Sequence, residues 1–312
     1  MLFRSAAGIR PDAELRRLAV EALSMYDLAD DPRAVAPAVR VGPEIFFDAS
    51  LDRYATRFSD GRIVVGETRT GRELLALPFG PSHVGYVALS PDGQCLGFRE
   101  REAVVVWKLR DRREAFRVPV HPRTRGPGFE FHPKHPWLTV NTGTNALKIV
   151  ELPGGADREL AAIPWNPPYF RAAPGGPRVA LLDRSTCTVW DGEGRIEPAS
   201  LTNWWDITAA EWVPDGSRLA LGLATGEIQL WDPASGAVTT LFAEQQGVIC
   251  LGFESSGSLL MSGHEHHVCA LWHVATAQRL SHQLNGLGVR ISADGTQVGW
   301  LGPNEKTGRA HV

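Results

Sequence analysis

The sequence contains little cysteine and no long hydrophobic run, and both shortages narrow its class. Its four cysteines, Cys95, Cys187, Cys250 and Cys269, lie far apart in apolar segments with the character of strands. Unpaired cysteine behaves as a small buried hydrophobe, so we expect no disulfide framework and a reducing, cytoplasmic compartment. No apolar stretch reaches the roughly 18 residues of a membrane-spanning helix. Residues 1–5 are not followed by the apolar core of a signal peptide.

A strong charge of either sign is also missing. The chain has 32 Lys and Arg against 35 Asp and Glu, a formal net charge of -3. Nucleic acids and anionic membranes favour a basic surface, so neither is predicted as a partner. The chain lacks a Gly-x-Ser-x-Gly turn, a phosphate-binding glycine loop and a His-Glu-x-x-His pair. We therefore predict no catalytic residue, no metal ligand and no cofactor.

What the sequence does contain is a short turn that recurs about every 40 residues, the period of a repeat architecture. Asp-Gly and Pro-Asp-Gly between short apolar runs favour tight hairpins, because both residues tolerate the backbone angles of such turns. The successive turns are Asp52, Ser90-Pro91-Asp92-Gly93, His132-Pro133-Lys134, Pro174-Gly175-Gly176, Pro214-Asp215-Gly216, Ser255-Ser256-Gly257 and Ala293-Asp294-Gly295.

A second landmark follows most of these turns: an apolar segment that ends in tryptophan. It is clearest at Trp107, Trp190, Trp231 and Trp272, while Gly66 and Val150 hold the place in weaker copies. From Gly66 onward the steps are 41, 43, 40, 41 and 41 residues. A further turn and a fourth apolar segment complete each copy. Four short strands per unit of about 40 residues indicate one propeller blade.

With these turns and four aligned tryptophans, the chain resembles the WD-repeat (WD40) family over nearly its whole length. The resemblance implies an all-β, seven-bladed WD40-type β-propeller. We align the blades to about 44–80, 81–120, 127–164, 168–202, 206–243, 247–284 and 287–312. The seventh blade has no fourth strand of its own. The resemblance implies that an N-terminal strand completes it, and 36–42 (Ala38, Val39, Arg40 and Val41) is the candidate.

Residues 1–35 read as an extension before the propeller of 36–312. Leu15, Leu18, Ala22 and Leu23 follow helical spacing after a possible cap at Asp12, which predicts a short helix at about 12–26. The order of helix and propeller is similar to the WD-repeat region of bacterial serine/threonine kinase-associated proteins. No kinase motif is present. A detached relative and a piece of a longer protein both remain open.

Three tryptophans, Trp165, Trp204 and Trp205, fall in loops that join the fourth strand of one blade to the first strand of the next. The resemblance implies that such loops lie on the top face, where exposed aromatic side chains anchor partners. The alternative is that these rings cover the core. The loop of residues 121–126 adds two arginines to that face, although a basic loop is often only solvated. The predicted partner-binding residues are Trp165, Trp204, Trp205, Arg123, Arg125 and His121.

The run His264-Glu265-His266-His267, followed by Cys269, contains side chains that zinc accepts. It lies in a turn between a second and a third strand, where strand-like alternation would not converge four ligands on one ion. His266 fills the place of a structural Asp in the family pattern, which persists here as Asp60. The resemblance therefore implies that the side-chain network typical of WD blades is mostly missing and that packing holds the blades.

From these observations we expect a non-catalytic protein–protein interaction scaffold, cytoplasmic and monomeric. The alternative is a propeller enzyme, or a module that senses a small ligand or metal, using the central channel. That alternative requires polar residues that converge from the inner strands. The residues of these strands are mostly apolar or small, as in Val87-Ala88-Leu89 and Ala209-Ala210-Glu211.

Overall fold

The computed structural model describes most of the chain from residue 44 onward. The described residues are 29–30, 44–58, 60–78, 85–124, 126–144, 146–152, 154–159, 167, 169–176, 178–191, 199–243, 246–280, 284–285, 287–292, 297–301 and 307–311. The predicted helix at 12–26 and the segment 36–42 lie outside them. Apart from one 3-10 turn at Glu265–His267, every regular element in these ranges is a β-strand.

The strands form seven separate antiparallel sheets, which we number as blades 1 to 7 in chain order. The first strand in the chain, β1, is Ala29–Asp30. Blade 1 contains β2 (Glu44–Phe47), β3 (Arg53–Arg57), β4 (Ile63–Glu67) and β5 (Glu73–Leu77); blade 2 contains β6 (Val87–Leu89), β7 (Cys95–Arg99), β8 (Ala103–Lys108) and β9 (Arg113–Pro119). Blade 3 contains β10 (Phe129–Phe131), β11 (Trp137–Asn141), β12 (Leu147–Glu151) and β13 (Asp157–Glu159).

Blades 4 to 7 continue the same up-and-down order. Blade 4 contains β14 (Tyr169–Ala172), β15 (Arg178–Asp183), β16 (Thr186–Asp191) and β17 (Ala199–Thr202); blade 5 contains β18 (Ile207–Trp212), β19 (Leu219–Leu223), β20 (Glu227–Trp231) and β21 (Val238–Ala243). Blade 6 contains β22 (Val248–Phe253), β23 (Leu259–His264), β24 (Val268–His273), β25 (Gln278–Arg279) and β26 (Leu284–Asn285). Blade 7 contains β27 (Leu287–Ile291), β28 (Gln297–Leu301) and β29 (Thr307–His311). In blade 6, β25 and β26 both pair with β24.

The seven blades form a closed ring. The first strand of each blade contacts the first strand of the next, and β2 of blade 1 contacts β27 of blade 7. This arrangement confirms the prediction of an all-β propeller. The second strands of blades 1 to 6 are mostly buried, and every residue of β7, β19 and β23 is buried. They are buried on both faces because each blade packs between two neighbouring blades.

The hydrophobic core lies between blades rather than inside one sheet. Val65 and Phe98 are completely buried between blades 1 and 2, and Ile228 packs near Trp272 between blades 5 and 6. Burying a side chain of this size stabilises the fold by roughly 2–3 kcal/mol. Blades 2 and 3 approach closely at Gly97, where a Cβ would lie 2.7 Å from the ring of Phe129. Packing thus accounts for much of the cohesion of the ring.

Hydrogen bonds between turns add to this packing at the end of the ring where the first and second strands join. Ala49 N donates to Pro91 O at 3.0 Å across blades 1 and 2. Arg178 Nη2 donates to Gly216 O at 2.7 Å across blades 4 and 5. Between blades 3 and 4, the imidazole of His132 bonds the carbonyl of Ala173 at 2.9 Å. The turns that mark the sequence repeat therefore also join adjacent blades.

One blade retains a side-chain network that the sequence left in doubt. Trp272 Nε1 donates to Ser262 Oγ at 2.7 Å, and Ser262 Oγ is 2.9 Å from His264 Nε2. His264 Nδ1 reaches the carbonyl of Gln246 at 3.0 Å, in the loop that enters blade 6. In blade 1, by contrast, the hydrogen bond of Asp60 within the described chain is a local one: its Oδ1 accepts from the amide of Arg62 at 2.9 Å. Blade 6 is thus held by both packing and a polar chain.

The outer edge of blade 7 is completed by an N-terminal strand. Its sheet order is β27, β28, β29 and then β1, with Ala29 opposite His311 and Asp30 opposite Ala310. In the described part of the chain this strand is Ala29–Asp30, and the predicted segment 36–42 lies outside the described residues and stays a prediction. A two-residue strand has no alternation from which the sequence could have identified it.

Candidate functional site

The connections of each blade divide between two ends of the ring. In an up-and-down sheet, the turn between the second and third strands lies at the same end as the loop that leads to the next blade. We call this end the top face. The described candidate residues, His121, Arg123, Trp204 and Trp205, belong to these loops, whereas the turn–turn hydrogen bonds described above lie at the opposite end.

Trp204 and Trp205 lie on the top face, in the loop between β17 of blade 4 and β18 of blade 5. Trp204 is 99% exposed and Trp205 is 59% exposed. Asn203 N donates to Ser185 O at 2.7 Å, Ile207 N donates to the carbonyl of Arg184, and Ala224 N donates to Asp206 O at 2.9 Å. The ends of the loop are therefore tied to the turns of both blades, and the two indole rings project from an anchored backbone.

His121 and Arg123 lie on the same face, in the loop between blades 2 and 3. His121 N donates to Thr142 O at 2.8 Å, and the hydroxyl of Thr124 donates to His121 O at 2.7 Å. His121 Nδ1 accepts the amide of Arg123 at 3.1 Å. This compact turn leaves the side chains of His121 and Arg123 exposed. It is separated from the Trp204 loop by the blade 3–blade 4 junction.

The two remaining predicted residues, Trp165 and Arg125, lie outside the described residues. The described part of the predicted patch is therefore a tryptophan pair at one junction and a histidine–arginine turn two junctions away. The repeat tryptophans occupy different positions: Trp231 and Trp272 are buried between blades, and Trp107 and Trp190 are half-buried.

A charged cluster on the inner strands was missed by the sequence reasoning. Arg171 on β14 lies between Glu130 on β10 and Glu211 on β18, with Nε 3.8 Å from Glu130 Oε1 and 4.0 Å from Glu211 Oε2. Its Nε also donates to Ala210 O at 2.9 Å. Burial disfavours the charge of Arg171, but the carboxylates of Glu130 and Glu211 outweigh it and raise the pKa of the guanidinium.

The repeat itself explains this cluster. Glu130, Arg171 and Glu211 follow one another at steps of 41 and 40 residues, so they occupy the same position of three successive first strands. This position faces the central channel, which contains a cavity of about 340 Å³ lined in part by Tyr86, Tyr169, Arg171 and Glu211. The inner strands of blades 3 to 5 are mostly apolar or small, as expected, but each carries one charged residue at this position. Aligning charged residues to the repeat would have revealed the cluster.

The histidine-rich turn of blade 6 does not gather its side chains around one point. His264 is completely buried in the polar chain to Ser262, and Cys269 is buried within β24. Glu265 and His266 are exposed, and His266 adopts a left-handed backbone with φ 60°. Within the described ranges, no group of three or more His, Cys, Asp or Glu side chains is arranged to hold a metal.

Burial also sets the chemistry of the described thiols. It raises the pKa of Cys95 to about 11 and that of Cys187 to about 12. Both side chains are therefore protonated at neutral pH, and a protonated thiol is a poor nucleophile and a poor metal ligand.

In the described part of the chain, no helix has both the length and the apolar character needed to cross a membrane.

Comparison with known proteins agrees with the repeat. Residues 179–256 match the model of the anaphase-promoting complex subunit 4 WD40 domain. A search of curated proteins finds no match in sequence. Together with the ring of blades, the matched segment supports a WD-repeat family for this chain.

Solved structures share the fold at low identity. "Structure of U3-55K" has a TM-score of 0.71 and 13% identity, covering 91% of this chain and 100% of that chain. A chain of "Crystal Structure of Mitotic Checkpoint Complex" has a TM-score of 0.67 and 17% identity, covering 91% and 90%. A chain of Kuenenia stuttgartiensis hydrazine synthase has a TM-score of 0.68 and 15% identity, covering 88% and 96%. The fold thus occurs both in an assembly and in an enzyme.

Proposed function

We propose that this WD-repeat propeller is a non-catalytic scaffold that binds a protein partner through its top face. The observation that carries the proposal is the pair Trp204 and Trp205, fully and mostly exposed on a loop whose ends are hydrogen-bonded to two blades. Exposed tryptophan is costly in water and is enriched among the residues that dominate protein interfaces. An anchored loop also loses little conformational freedom when it binds.

The proposed interface extends from the tryptophan pair along the top face. Trp165, from the intervening junction, and His121, Arg123 and Arg125, from the next one, complete it. Arginine and tryptophan together are typical of interface cores. The proposal includes a cytoplasmic location, which the free cysteines favour, and a monomeric chain. The relation to bacterial kinase-associated proteins stays a prediction.

The test compares Trp204→Ala/Trp205→Ala with wild type in quantitative pull-downs from the native cell. Any partner captured by wild type is then purified and titrated directly. Losing two interface tryptophans of about 2 kcal/mol each should weaken binding by roughly a thousandfold. Val238→Ala is the matched control, because Val238 is 41% exposed on the outer strand of blade 5. Equal affinity of a folded double variant for the partner would refute the assignment.

A second candidate function is supported by the channel, in which a small ligand would bind. Tyr169 and Ile249 line the cavity and are 54% and 41% exposed, so apolar surface faces the open space beside the charged cluster. A concave site with apolar walls and a few polar groups is the usual form of a small-molecule site.

Native mass spectrometry of the protein purified from its own cell tests this second candidate. A small molecule that is bound to wild type, is released on unfolding and is missing from Ala209→Phe would support it, since Ala209 lines the cavity. A mass equal to that of the bare chain after gentle purification would contradict it.

A further inference from the structure

Arg99, the last residue of β7, is a buried cation that has no anionic partner among the described residues. Its side chain is 7% exposed. Nη2 makes two long hydrogen bonds, to Arg101 O at 3.4 Å and to His121 O at 3.3 Å. Nη1 is buried and meets no acceptor. Burial lowers the pKa of the guanidinium, and no neighbouring charge counters this effect.

Among the described residues, no carboxylate of the flanking chain forms an ion pair with Arg99. Glu100, the next residue, is engaged by Arg117 at 3.4 Å. Residues 79–84 and residue 125, which lie outside the described ranges and lead toward the strands around Arg99, include no aspartate or glutamate. An unpaired buried charge is strongly destabilising. An arginine kept in this position therefore calls for an anion from outside the chain.

The next blade shows that the structural task at this position does not require a charge. Asn141 is the last residue of β11 and occupies the place that Arg99 has in blade 2. The backbone amides match: Arg99 N donates to Tyr86 O, and Asn141 N donates to Gly128 O, both at 2.8 Å. Asn141 Nδ2 donates to Pro167 O at 3.2 Å, just as Arg99 bonds the carbonyl of His121. A neutral amide is thus enough to tie the following junction loop to the blade.

Arg99 lies at the top of the blade 2–blade 3 seam. A Cβ at Gly128 would lie 3.5 Å from both Cδ and Nε of Arg99, which is an ordinary packing distance. The exposed side chains of His121 and Arg123 lie on the loop that covers the seam. Guanidinium binds oxyanions through a planar fork of N–H donors, and Nη1 has its donors unused.

From these observations we propose that Arg99 is the centre of an oxyanion-binding site between blades 2 and 3, which takes a small free anion of the phosphate or carboxylate class. The anion accepts a hydrogen bond from Nη1 of Arg99. It also replaces the two long hydrogen bonds of Nη2, and the loop of residues 121–124 moves to admit it. This site lies beneath the His121–Arg123 loop, which the proposed interface includes, but it does not involve the tryptophan pair that carries the scaffold proposal. The two proposals can therefore fail separately.

The test is thermal unfolding of the full chain in phosphate, sulfate or acetate, against chloride at equal ionic strength. Ligand that binds only the folded state stabilises it, so at ten times Kd the folding equilibrium shifts about elevenfold and Tm rises by a few degrees. The Tm of wild type should rise with anion concentration and then saturate. Arg99→Gln keeps a donor for His121 O but loses the charge, so its Tm should not rise. The response to acetate beside phosphate separates a carboxylate site from a phosphate site.

Two further variants keep the result interpretable. Arg101→Gln removes an exposed arginine from the same turn and should keep the full rise, which separates the site from general salting effects. Arg99→Lys retains the charge and should keep part of the rise, and it replaces Arg99→Gln if that variant does not fold. The proposal is overturned if wild type shows no saturable rise, or if the variants lacking Arg99 show the same rise as wild type.

Discussion

Protonation of a single buried histidine, His132, should weaken the ring as the pH falls. His132 is 2% exposed at the turn between β10 and β11. Its Nδ1 accepts the amides of Lys134 and His135 at 3.1 and 3.0 Å, so its proton is on Nε2, which donates to Ala173 O. Burial, assisted by the nearby His135 and Lys134, lowers the pKa of His132 from 6.5 to about 4.

The sign and size of the effect follow from this pKa. Above about pH 6.5 the imidazole is neutral in both states and the shift contributes nothing. Between about pH 6.5 and 4, this histidine binds a proton in the unfolded chain but not in the folded chain. The free energy of unfolding therefore decreases as the pH is lowered, by up to about 1.4 kcal/mol per pH unit. From pH 7 to pH 5 the loss amounts to about 2 kcal/mol, and it levels off at about 3 kcal/mol below pH 4.

Urea unfolding at pH 7, 6 and 5 measures this loss. His132→Asn keeps an acceptor for the turn amides but cannot titrate, so its free energy of unfolding should fall by about 2 kcal/mol less than that of wild type between pH 7 and 5. His135→Asn removes the tilted neighbouring ring, 4.7 Å away between ring centroids, and should keep most of the wild-type dependence. Identical pH dependence in wild type and His132→Asn would refute the reasoning.

Three other changes test the packing and the polar contacts of the ring. Arg171→Met leaves Glu130 and Glu211 facing each other in a partly solvated channel, and chemical denaturation should show a loss of about 2 kcal/mol. Gly97→Ala places a methyl group against Phe129 and should cost about 1–3 kcal/mol, whereas Ala at exposed Gly154 should cost less than about 1 kcal/mol. Deleting residues 1–42 removes β1 and should lower Tm by several degrees, while deleting residues 1–10 should leave Tm unchanged; equal Tm values would contradict the role of β1.

The parts of the fold that repeat along the chain could be predicted from the sequence. The turn at Asp92-Gly93 was predicted from local chemistry, and Gly93 adopts φ 64° while its amide donates to Ser90 O at 2.8 Å. The position of Trp272 on a third strand likewise follows from its spacing. Such features depend on neighbours in sequence, and periodicity reports them directly. The exposure of Trp204 and Trp205 follows from their place in a junction loop, although burial over the core was an equally open interpretation.

The features that depend on contacts between blades could not be predicted in the same way. Arg171 looks like an ordinary charged residue in a strand until its two carboxylate neighbours, about 40 residues away on each side, are placed beside it. The unpaired state of Arg99 is a property of its burial, which no motif encodes. Similarly, Ala29–Asp30 pairs with β29 through backbone hydrogen bonds, which any short segment can supply.

The pairing of Ala29 with His311 has a consequence for how this ring tolerates rearrangement of its chain. Because residues 29 and 311 are opposite each other in one sheet, a short linker can join these two positions without stretching the backbone. New ends could then be opened at a surface junction such as the loop between β21 and β22. A circularly permuted chain should keep the same interfaces between blades, since none of them depends on the direction in which the ring is entered.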